Sequence, residues 1–335
     1  MDSQLLPVTS AGVQPPTNTT ICGFWRRIAA LVIDWVILAI PLEVFGWSFF
    51  GKLSQIGDRA AVIGILVAVT YFGILGSSMG NGQTIGMRVC SIKVVDADGR
   101  LLTLPRSLVR YSILWIPLAL SGAAMPNILV AIVDIALFFI FYLYVFNRRT
   151  RQSLHDIAVG SFVIDSATAG QPIQKRMWKV QWAIASACVI AGMAAAAVVT
   201  PMLKRIGPFP ELLAIQQQIA ASGDVHQVGV QASVNWMNGQ TSHYLVVTAI
   251  WKGRPQDYEK AATKLASIVM RADPNVMQRD LLQINIRSDF NLGLATGGLS
   301  RSFSHRPSEW QQLAYRTSMP EALRVSTGSR KVWLS

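Results

Sequence analysis

The feature that most constrains this chain is a series of long apolar runs. Four of them are close to the roughly 20 residues that a helix needs to cross a bilayer, and they cover residues 24–46, 60–78, 126–146 and 180–202. A fifth run, 107–124, is interrupted by Arg110 and Pro117, so it either spans the membrane or lies in the interface. Only 14% of the residues are charged, against about 25% in a typical soluble domain. The sequence therefore predicts an α-helical integral membrane bundle of about four to five transmembrane helices, with the lipid bilayer as its surroundings.

The distribution of basic residues predicts the orientation of the chain. If the fifth run spans, 13 of the 17 lysines and arginines in residues 1–205 fall on one side of the membrane. The positive-inside rule assigns that side to the cytosol. We therefore expect a cytosolic N-terminus, five crossings and an extracytoplasmic C-terminal domain. The net charge of +12 then reflects topology, and we expect no nucleic-acid partner.

Changes in composition divide the chain into five parts. They are a disordered cytosolic tail (1–20), a membrane domain (21–165), a cytosolic linker (166–178), an additional transmembrane helix (179–203) and a small soluble α+β domain (204–335).

The alternation of apolar residues predicts the structure of the soluble domain. Residues 227–236 and 241–251 alternate as strands on either side of Asn238-Gly239, a strong hairpin signal. This register places Val230 opposite Val247, Ala232 opposite Leu245, His243 opposite Val234 and His226 opposite Trp251. Helical periodicity covers 256–272, and a further strand covers 281–288. Gly293, Gly297 and Gly298 are expected to interrupt the strand pattern before a short helix that begins at Pro307.

Two carboxylates fall inside apolar runs and need a physical explanation. Asp34 lies seven residues after Arg27, about two turns or roughly 10 Å along a helix axis. Asp134 lies within the run 126–146. A buried carboxylate in a bilayer must face the bundle interior, pair or stay protonated. Either these groups serve ion movement, or Arg27 and a cytosolic carboxylate such as Asp156 only clamp the helices together.

The residues that usually carry catalysis or bind metals form no pattern here. In the predicted hairpin His226 and His243 are roughly 26 Å apart, and the three cysteines, Cys22, Cys90 and Cys188, are scattered. Glycine spacing in GNGQTIGMR (80–88) lacks the lysine of a phosphate-binding loop. We expect no metal, no cofactor and no enzymatic activity.

Three segments resemble the signature blocks of the RDD family of bacterial membrane proteins. They are GFWRRIAALVIDW (23–35), GQTIGMRVCSIKVVDADGRLLTLPRSLVR (82–110) and FNRRTRQSLHDIAVGSFVI (146–164). The resemblance implies that Arg27, Asp34 and Asp156, with His155 beside the last, are the residues that name the family. It also implies a multi-pass protein of the bacterial inner membrane, for which cation transport or proton-coupled transport has been proposed. Cys90 stands where glycine is common in the family.

Two classes of function stay open on these grounds. The first is transport of a cation or a proton-coupled solute through a polar cluster of Arg27, Asp34, Asp134, His155 and Asp156. The second is a membrane-anchored interaction or scaffold protein, whose domain 204–335 binds an envelope partner. A homo-oligomer is compatible with both.

Overall fold

A computed structural model describes residues 20–121, 127–168, 173, 180–203, 209–237 and 240–318. The predicted tail, most of the linker 166–178 and the predicted turn Asn238-Gly239 lie outside the described residues. The chain divides into two compact units of three segments each. The first unit comprises 1–36, 68–115 and 136–182, and the second comprises 37–67, 116–135 and 183–335.

The first two-thirds of the chain is mostly helical. Its elements are α1 (Phe24–Ser48), α2 (Phe50–Ile56), α3 (Ala61–Leu75), α4 (Ile85–Val89), β1 (Ile92–Asp96), α5 (Leu104–Leu120), α6 (Asn127–Phe146), α7 (Leu154–Val159), β2 (Ser161–Asp165) and α8 (Val180–Leu203). Four helical stretches of the described chain are long and apolar enough to cross a membrane: Phe24–Ser48, Phe50–Leu75, Ile128–Phe146 and Val180–Val199. Each of them overlaps one of the four uninterrupted apolar runs, and the second begins ten residues before the predicted run 60–78. The fifth run forms α5, which has 17 residues and is about 25 Å long.

A small sheet organises the first unit. β1 and β2 pair antiparallel from Ile92↔Asp165 to Asp96↔Ser161, and Ile21 forms a further bridge to Ile164. Its apolar side chains are buried on both faces and form two small clusters, one with Ile92, Val94 and Val163 and the other with Val95, Phe162 and Ile164. This sheet joins three segments that are far apart in the sequence.

The remainder of the chain forms a sheet-containing domain. Its elements are α9 (Phe209–Ala221), β3 (Val225–Met237), β4 (Gln240–Trp251), α10 (Tyr258–Ala272), β5 (Leu281–Asn291), β6 (Thr296–His305) and α11 (Pro307–Ser318). The sheet order is β3-β4-β5-β6, and α10 connects the parallel pair β4 and β5. Helices α9, α10 and α11 bury one face of the sheet, where Leu245, Val247 and Ile284 are fully buried.

Much of the predicted register in this domain is confirmed. Val230 pairs with Val247 and Ala232 with Leu245, as the alternation predicted. The helix begins at Tyr258 because Asp257 caps it, accepting hydrogen bonds from two backbone N–H groups of its first turn.

Two predictions for this domain were wrong. A bulge between Val225 and Gln227 shifts the register, so Val225 and not His226 lies opposite Trp251. The glycine-rich segment does not end the sheet, because Gly297 and Gly298 lie within β6. A Cβ atom on Gly297 would lie 2.7 Å from the ring of Phe290, so glycine there makes room for that ring.

Candidate functional site

The candidate site is centred on Asp156, which lies in the first turn of α7. Its side chain is fully buried. Oδ2 accepts a hydrogen bond from the backbone N–H of Ser153 at 3.2 Å, as expected for an acidic residue at the start of a helix. This hydrogen bond within the first turn of α7 orients the carboxylate independently of the other helices.

Two arginines bind this carboxylate from two other helices. Arg27 of α1 donates to Oδ2 at 2.7 Å, and Arg110 of α5 donates to Oδ1 from Nε and Nη2 at 2.9 and 2.7 Å. Ser161 of β2 donates to Oδ1 at 3.1 Å. Both arginine side chains are at most 6% exposed. The group Arg27, Arg110 and Asp156, here called the buried clamp, thus ties α1, α5 and α7 together.

The protonation states follow from burial and charge. Burial alone would raise the pKa of Asp156, but the adjacent Arg110 and Arg27 hold that pKa well below its usual range. Burial lowers the pKa of His155 to about 3, against an opposing effect of Asp156. At neutral pH Asp156 is therefore ionised and His155 is uncharged. The 3.6 Å approach of His155 to Asp156 is consequently not an ion pair there.

Asp34 occupies a different site in the same unit. Its carboxylate accepts hydrogen bonds from the Tyr71 hydroxyl at 2.7 Å, the Thr84 hydroxyl at 2.5 Å and the backbone N–H of Gly86 at 2.8 Å. Thr84 is the residue that caps α4. Asp34 therefore joins α1 to α3 and to the start of α4 through three hydrogen bonds.

Gly86 is required where α4 meets α1. A Cβ atom at this position would lie 2.1 Å from the carbonyl oxygen of Ala30 and 2.9 Å from the Asp34 carboxyl carbon. The glycine therefore permits the close approach that brings its N–H group to Asp34.

The structure divides the predicted cluster of five residues. Arg27, His155 and Asp156 lie together, whereas Asp34 is held by α3 and α4 and has no hydrogen bond or ion pair with Arg27 among the described groups. Arg27 thus pairs with Asp156, the carboxylate that the sequence offered for a clamp, and polar groups of α3 and α4 satisfy Asp34 instead. Asp134 is an exposed residue of α6 in the second unit.

The sequence reasoning missed several partners in these sites. They are Arg110 and Ser161 at Asp156, and Tyr71, Thr84 and Gly86 at Asp34. Arg110 did leave a signal, because a charge that interrupts an apolar run needs a buried partner. Hydroxyl and backbone donors leave no such signal in the sequence.

An exposed ion pair in the same unit offers a comparison with the buried clamp. Arg26 donates to Asp165 at 2.7 Å, the same distance as Arg27 to Asp156. The two side chains are 44% and 27% exposed. The hydrogen bond from Arg26 lowers the pKa of Asp165. These two arginine–aspartate pairs thus have the same distance, and they differ in burial and in the second arginine, Arg110, that binds Asp156.

The C-terminal domain has two surface features that could bind a partner. The first is the end of the β3–β4 hairpin beyond Tyr244, where β5 begins to pair with β4. Val234 and Trp236 are 64% and 73% exposed there. The second is a cleft at the start of α10, where Arg301 stacks 5.0 Å from the Tyr258 ring. Both acidic and basic residues line that cleft, so it shows no preference for ligands of one charge.

Metal ligation has no basis in the part of the chain that the structure describes. No group of three or more His, Cys, Asp or Glu residues lies close enough together there to hold an ion.

Comparison with known proteins finds a family match for the segment that contains these sites. Residues 21–160 match the sequence model of the RDD family, so the predicted resemblance is confirmed for this part of the chain. The chain is also 27% identical over 152 residues to the uncharacterized protein YckC of Bacillus subtilis, a match that covers 44% of this chain and 87% of the relative. No solved structure matches. Arg27, Asp34, Arg110 and Asp156 all lie within the matched segment.

Proposed function

We propose that this chain, whose residues 21–160 match the RDD family, is a multi-pass anchor of the bacterial inner membrane. In this proposal the buried clamp holds the membrane helices together, and five crossings place residues 204–335 outside the cytoplasm. There the hairpin end with Val234 and Trp236 binds an envelope partner.

The pairing of β1 with β2 is the observation that carries the topology. Paired strands lie on the same side of a membrane, so the chain between them must cross an even number of times. That connection contains α5 and α6, of which α6 is long and apolar enough to span. If α6 crosses, α5 must cross as well. Its length of about 25 Å is a modest mismatch with a hydrocarbon core of about 30 Å.

The same reasoning extends to both ends of the chain. Ile21 pairs with β2, so the N-terminal segment shares the side of the small sheet, and α1 and α3 supply two crossings. α8 then makes the fifth crossing, which leads to the opposite side. The basic residues that flank these helices favour the cytosol for the side of the sheet.

Contacts of the C-terminal domain independently support its proposed position on the side of the membrane opposite the small sheet. Ser54 and Asp58, in the connection between α1 and α3, contact the domain. The Ser54 carbonyl oxygen lies 3.1 Å from Nε2 of His226, and the Gln227 side chain donates to Asp58 at 2.7 Å. One crossing, α1, separates this connection from the N-terminus, and five crossings separate the C-terminal domain from it. Both numbers are odd, so the connection and the domain lie on the same side of the membrane in this proposal.

The geometry of Asp156 favours anchoring over transport. Its two oxygens accept hydrogen bonds from Arg27, Arg110, Ser153 and Ser161, and Arg110 donates two of the five. A carboxylate has about four lone-pair sites. These five hydrogen bonds occupy those of Asp156, which leaves none for a cation. Its low pKa also argues against proton exchange near neutral pH.

The hairpin end is suited to contact a partner at a distance from the membrane. Gln227 contacts the membrane-side connection, and Trp236 lies nine residues further along β3, roughly 30 Å at the rise of a strand. Exposed tryptophan is enriched among residues that dominate binding interfaces. These observations support a protein partner in the envelope.

The proposal is tested by topology and by crosslinking in cells. Alkaline phosphatase fused after Ser335 should be active, and a fusion near Gly170 should be inactive. A photo-crosslinking residue at Trp236 should capture a discrete envelope protein, whereas the same residue at Gln231, an exposed position on the other face of β3, should not.

Opposite results would refute the two parts of the proposal separately. An inactive fusion after Ser335 would place the domain in the cytosol. Equal crosslinking at both positions would remove the assigned surface. Cation flux in proteoliposomes that Asp156→Asn abolishes, with the fold retained, would favour transport.

A further inference from the structure

The first turn of α1 and the last turn of α6 border a cleft of about 390 Å³. Its lining combines aromatic, aliphatic and basic side chains from these two helices and from the loop that follows α6. It includes Phe24, Arg27, Tyr144, Val145, Arg148 and Arg151. All of these residues belong to the first unit. The cleft is here called the arginine cleft.

The arginine cleft carries uncompensated positive charge. Its described lining contains three arginines and no acidic residue. Arg27 is 7% exposed and pairs with Asp156. Arg148 and Arg151 form no ion pair with any residue of the described chain. A cleft lined by charges of one sign concentrates ligands of the opposite sign, so this one attracts an anion.

The two arginines without an ion pair also have unused hydrogen-bond donors. An arginine side chain has five N–H donors. Arg151 donates to the carbonyl oxygen of Cys22 at 3.0 Å, which holds its guanidinium group near the start of α1. Arg148 is exposed, and its side chain donates to no group of the described chain. Guanidinium groups bind the oxygens of phosphates and carboxylates in pairs, so the cleft suits an anion of this kind.

Exposed apolar side chains adjoin these arginines. Val145 and Phe146, at the end of α6, are 49% and 56% exposed, and Trp25 is 78% exposed. The Trp25 ring lies 5.2 Å from the ring of Phe24, which lines the cleft. Tryptophan at the end of an apolar helix is typical of the headgroup region of a bilayer. A ligand that matches both parts of this surface has an anionic group and an apolar chain.

We propose that the arginine cleft binds an anionic phospholipid through its phosphate group, with an acyl chain along Val145 and Phe146. Basic pockets between membrane helices bind anionic headgroups on the cytosolic side in this way. The bound lipid bridges the ends of α1 and α6 beside the buried clamp. The inference rests on the proposed function in taking α1 and α6 as membrane-crossing helices whose ends here face the cytosol.

Titration of the full-length protein in a neutral detergent tests the proposal. The probes are phosphatidylglycerol and zwitterionic phosphatidylcholine with the same acyl chains. Phosphatidylglycerol should bind more tightly, and it should raise the melting temperature more, because a ligand that binds the folded state stabilises it. Equal affinity for the two lipids would overturn the proposal.

Inorganic phosphate tests the other source of the same chemistry. At equal concentration it should displace little phosphatidylglycerol, because it has no chain to lie against Val145 and Phe146. Displacement as effective as that by unlabelled phosphatidylglycerol would assign the cleft to a soluble phosphate and overturn the lipid.

Two adjacent arginines provide a matched pair of variants. Arg148 and Arg149 are both exposed, and neither side chain has an ion pair within the described chain. Of the two, only Arg148 lines the cleft. Arg148→Gln should weaken phosphatidylglycerol binding about five-fold, and Arg149→Gln should leave it unchanged. Equal losses in the two variants would indicate general attraction to a basic surface and would overturn the site.

Further measurements separate the lipid site from folding and from topology. Without lipid, the melting temperature should be the same for the native protein and both variants. If it falls in Arg148→Gln, the comparison of the two lipids on the native protein decides the proposal. Release of the protein from membranes by alkaline carbonate would overturn both membrane insertion and the lipid site. An inactive alkaline phosphatase fusion after Ser335, with the preference for phosphatidylglycerol retained, would refute the five crossings and leave the lipid site standing.

Discussion

Asp156 and Asp165 allow the effect of burial on an ion pair to be measured within one protein. Each accepts a hydrogen bond from an arginine of the first turn of α1 at 2.7 Å. Asp156 is fully buried and binds Arg27 and Arg110, whereas Asp165 is 27% exposed and binds Arg26. The perturbation is the substitution Asp→Asn at each position, which keeps size and removes charge.

The structure sets the expected magnitudes. Asp156→Asn leaves two arginines buried without a counter-ion, and breaking a buried pair in this way costs about 3–5 kcal/mol of unfolding free energy. Asp165→Asn removes an exposed pair, for which about 0–1 kcal/mol is expected. The first loss is a large part of the about 5–15 kcal/mol that stabilises a typical protein.

The measurement is denaturant unfolding of the full-length protein in mild detergent, followed by helical circular dichroism. A double-mutant cycle adds Arg110→Met to Asp156→Asn. The double variant should lose less than the sum of the single losses, because each single change leaves the other group uncompensated. Equal losses for the two aspartates, or additive losses in the cycle, would refute the buried clamp as the element that holds α1, α5 and α7 together.

Three further outcomes are expected. Asp34→Asn replaces a carboxylate that accepts three hydrogen bonds, so unfolding free energy should fall by roughly 1.5–3 kcal/mol with ion flux in proteoliposomes unchanged; lost flux at unchanged stability would instead support transport. Gly86→Ala should destabilise the protein more than Gly51→Ala, since a Cβ atom at 86 meets the Ala30 carbonyl at 2.1 Å and one at 51 meets nothing within 4 Å; similar melting temperatures would contradict the close packing. Because burial lowers the folded pKa of His155 to about 3, the unfolded chain binds a proton that the folded chain does not as pH falls from about 6.5 towards 3, and stability should decline across this window. His155→Gln should flatten that decline in unfolding titrations at several pH values, and an unchanged profile would show that other groups cause it.

The parts of the fold that depend on local pattern could be predicted from the sequence. Apolar runs of near-membrane length became the long helices, because length and hydropathy are properties of one segment. The pairing of Val230 with Val247 also followed, since a two-residue turn and alternation specify a register together. The proposed membrane topology rests on the small sheet as well, and no local pattern predicted that β1 pairs with β2.

The candidate site depended on contacts between distant segments. Arg27 and Asp156 are 129 residues apart in sequence, and their pairing could be anticipated only as one of several options. The choice of Arg110 as the second partner and of Tyr71, Thr84 and Gly86 as donors to Asp34 required the tertiary structure. A buried carboxylate takes whichever donors the packing of neighbouring helices brings within about 3 Å, and a hydroxyl or backbone N–H group gives no sign of that role in the sequence. Charge and apolarity along the chain determined that Asp34 needed a partner, and the packing of α3 and α4 against α1 determined which groups became its partners.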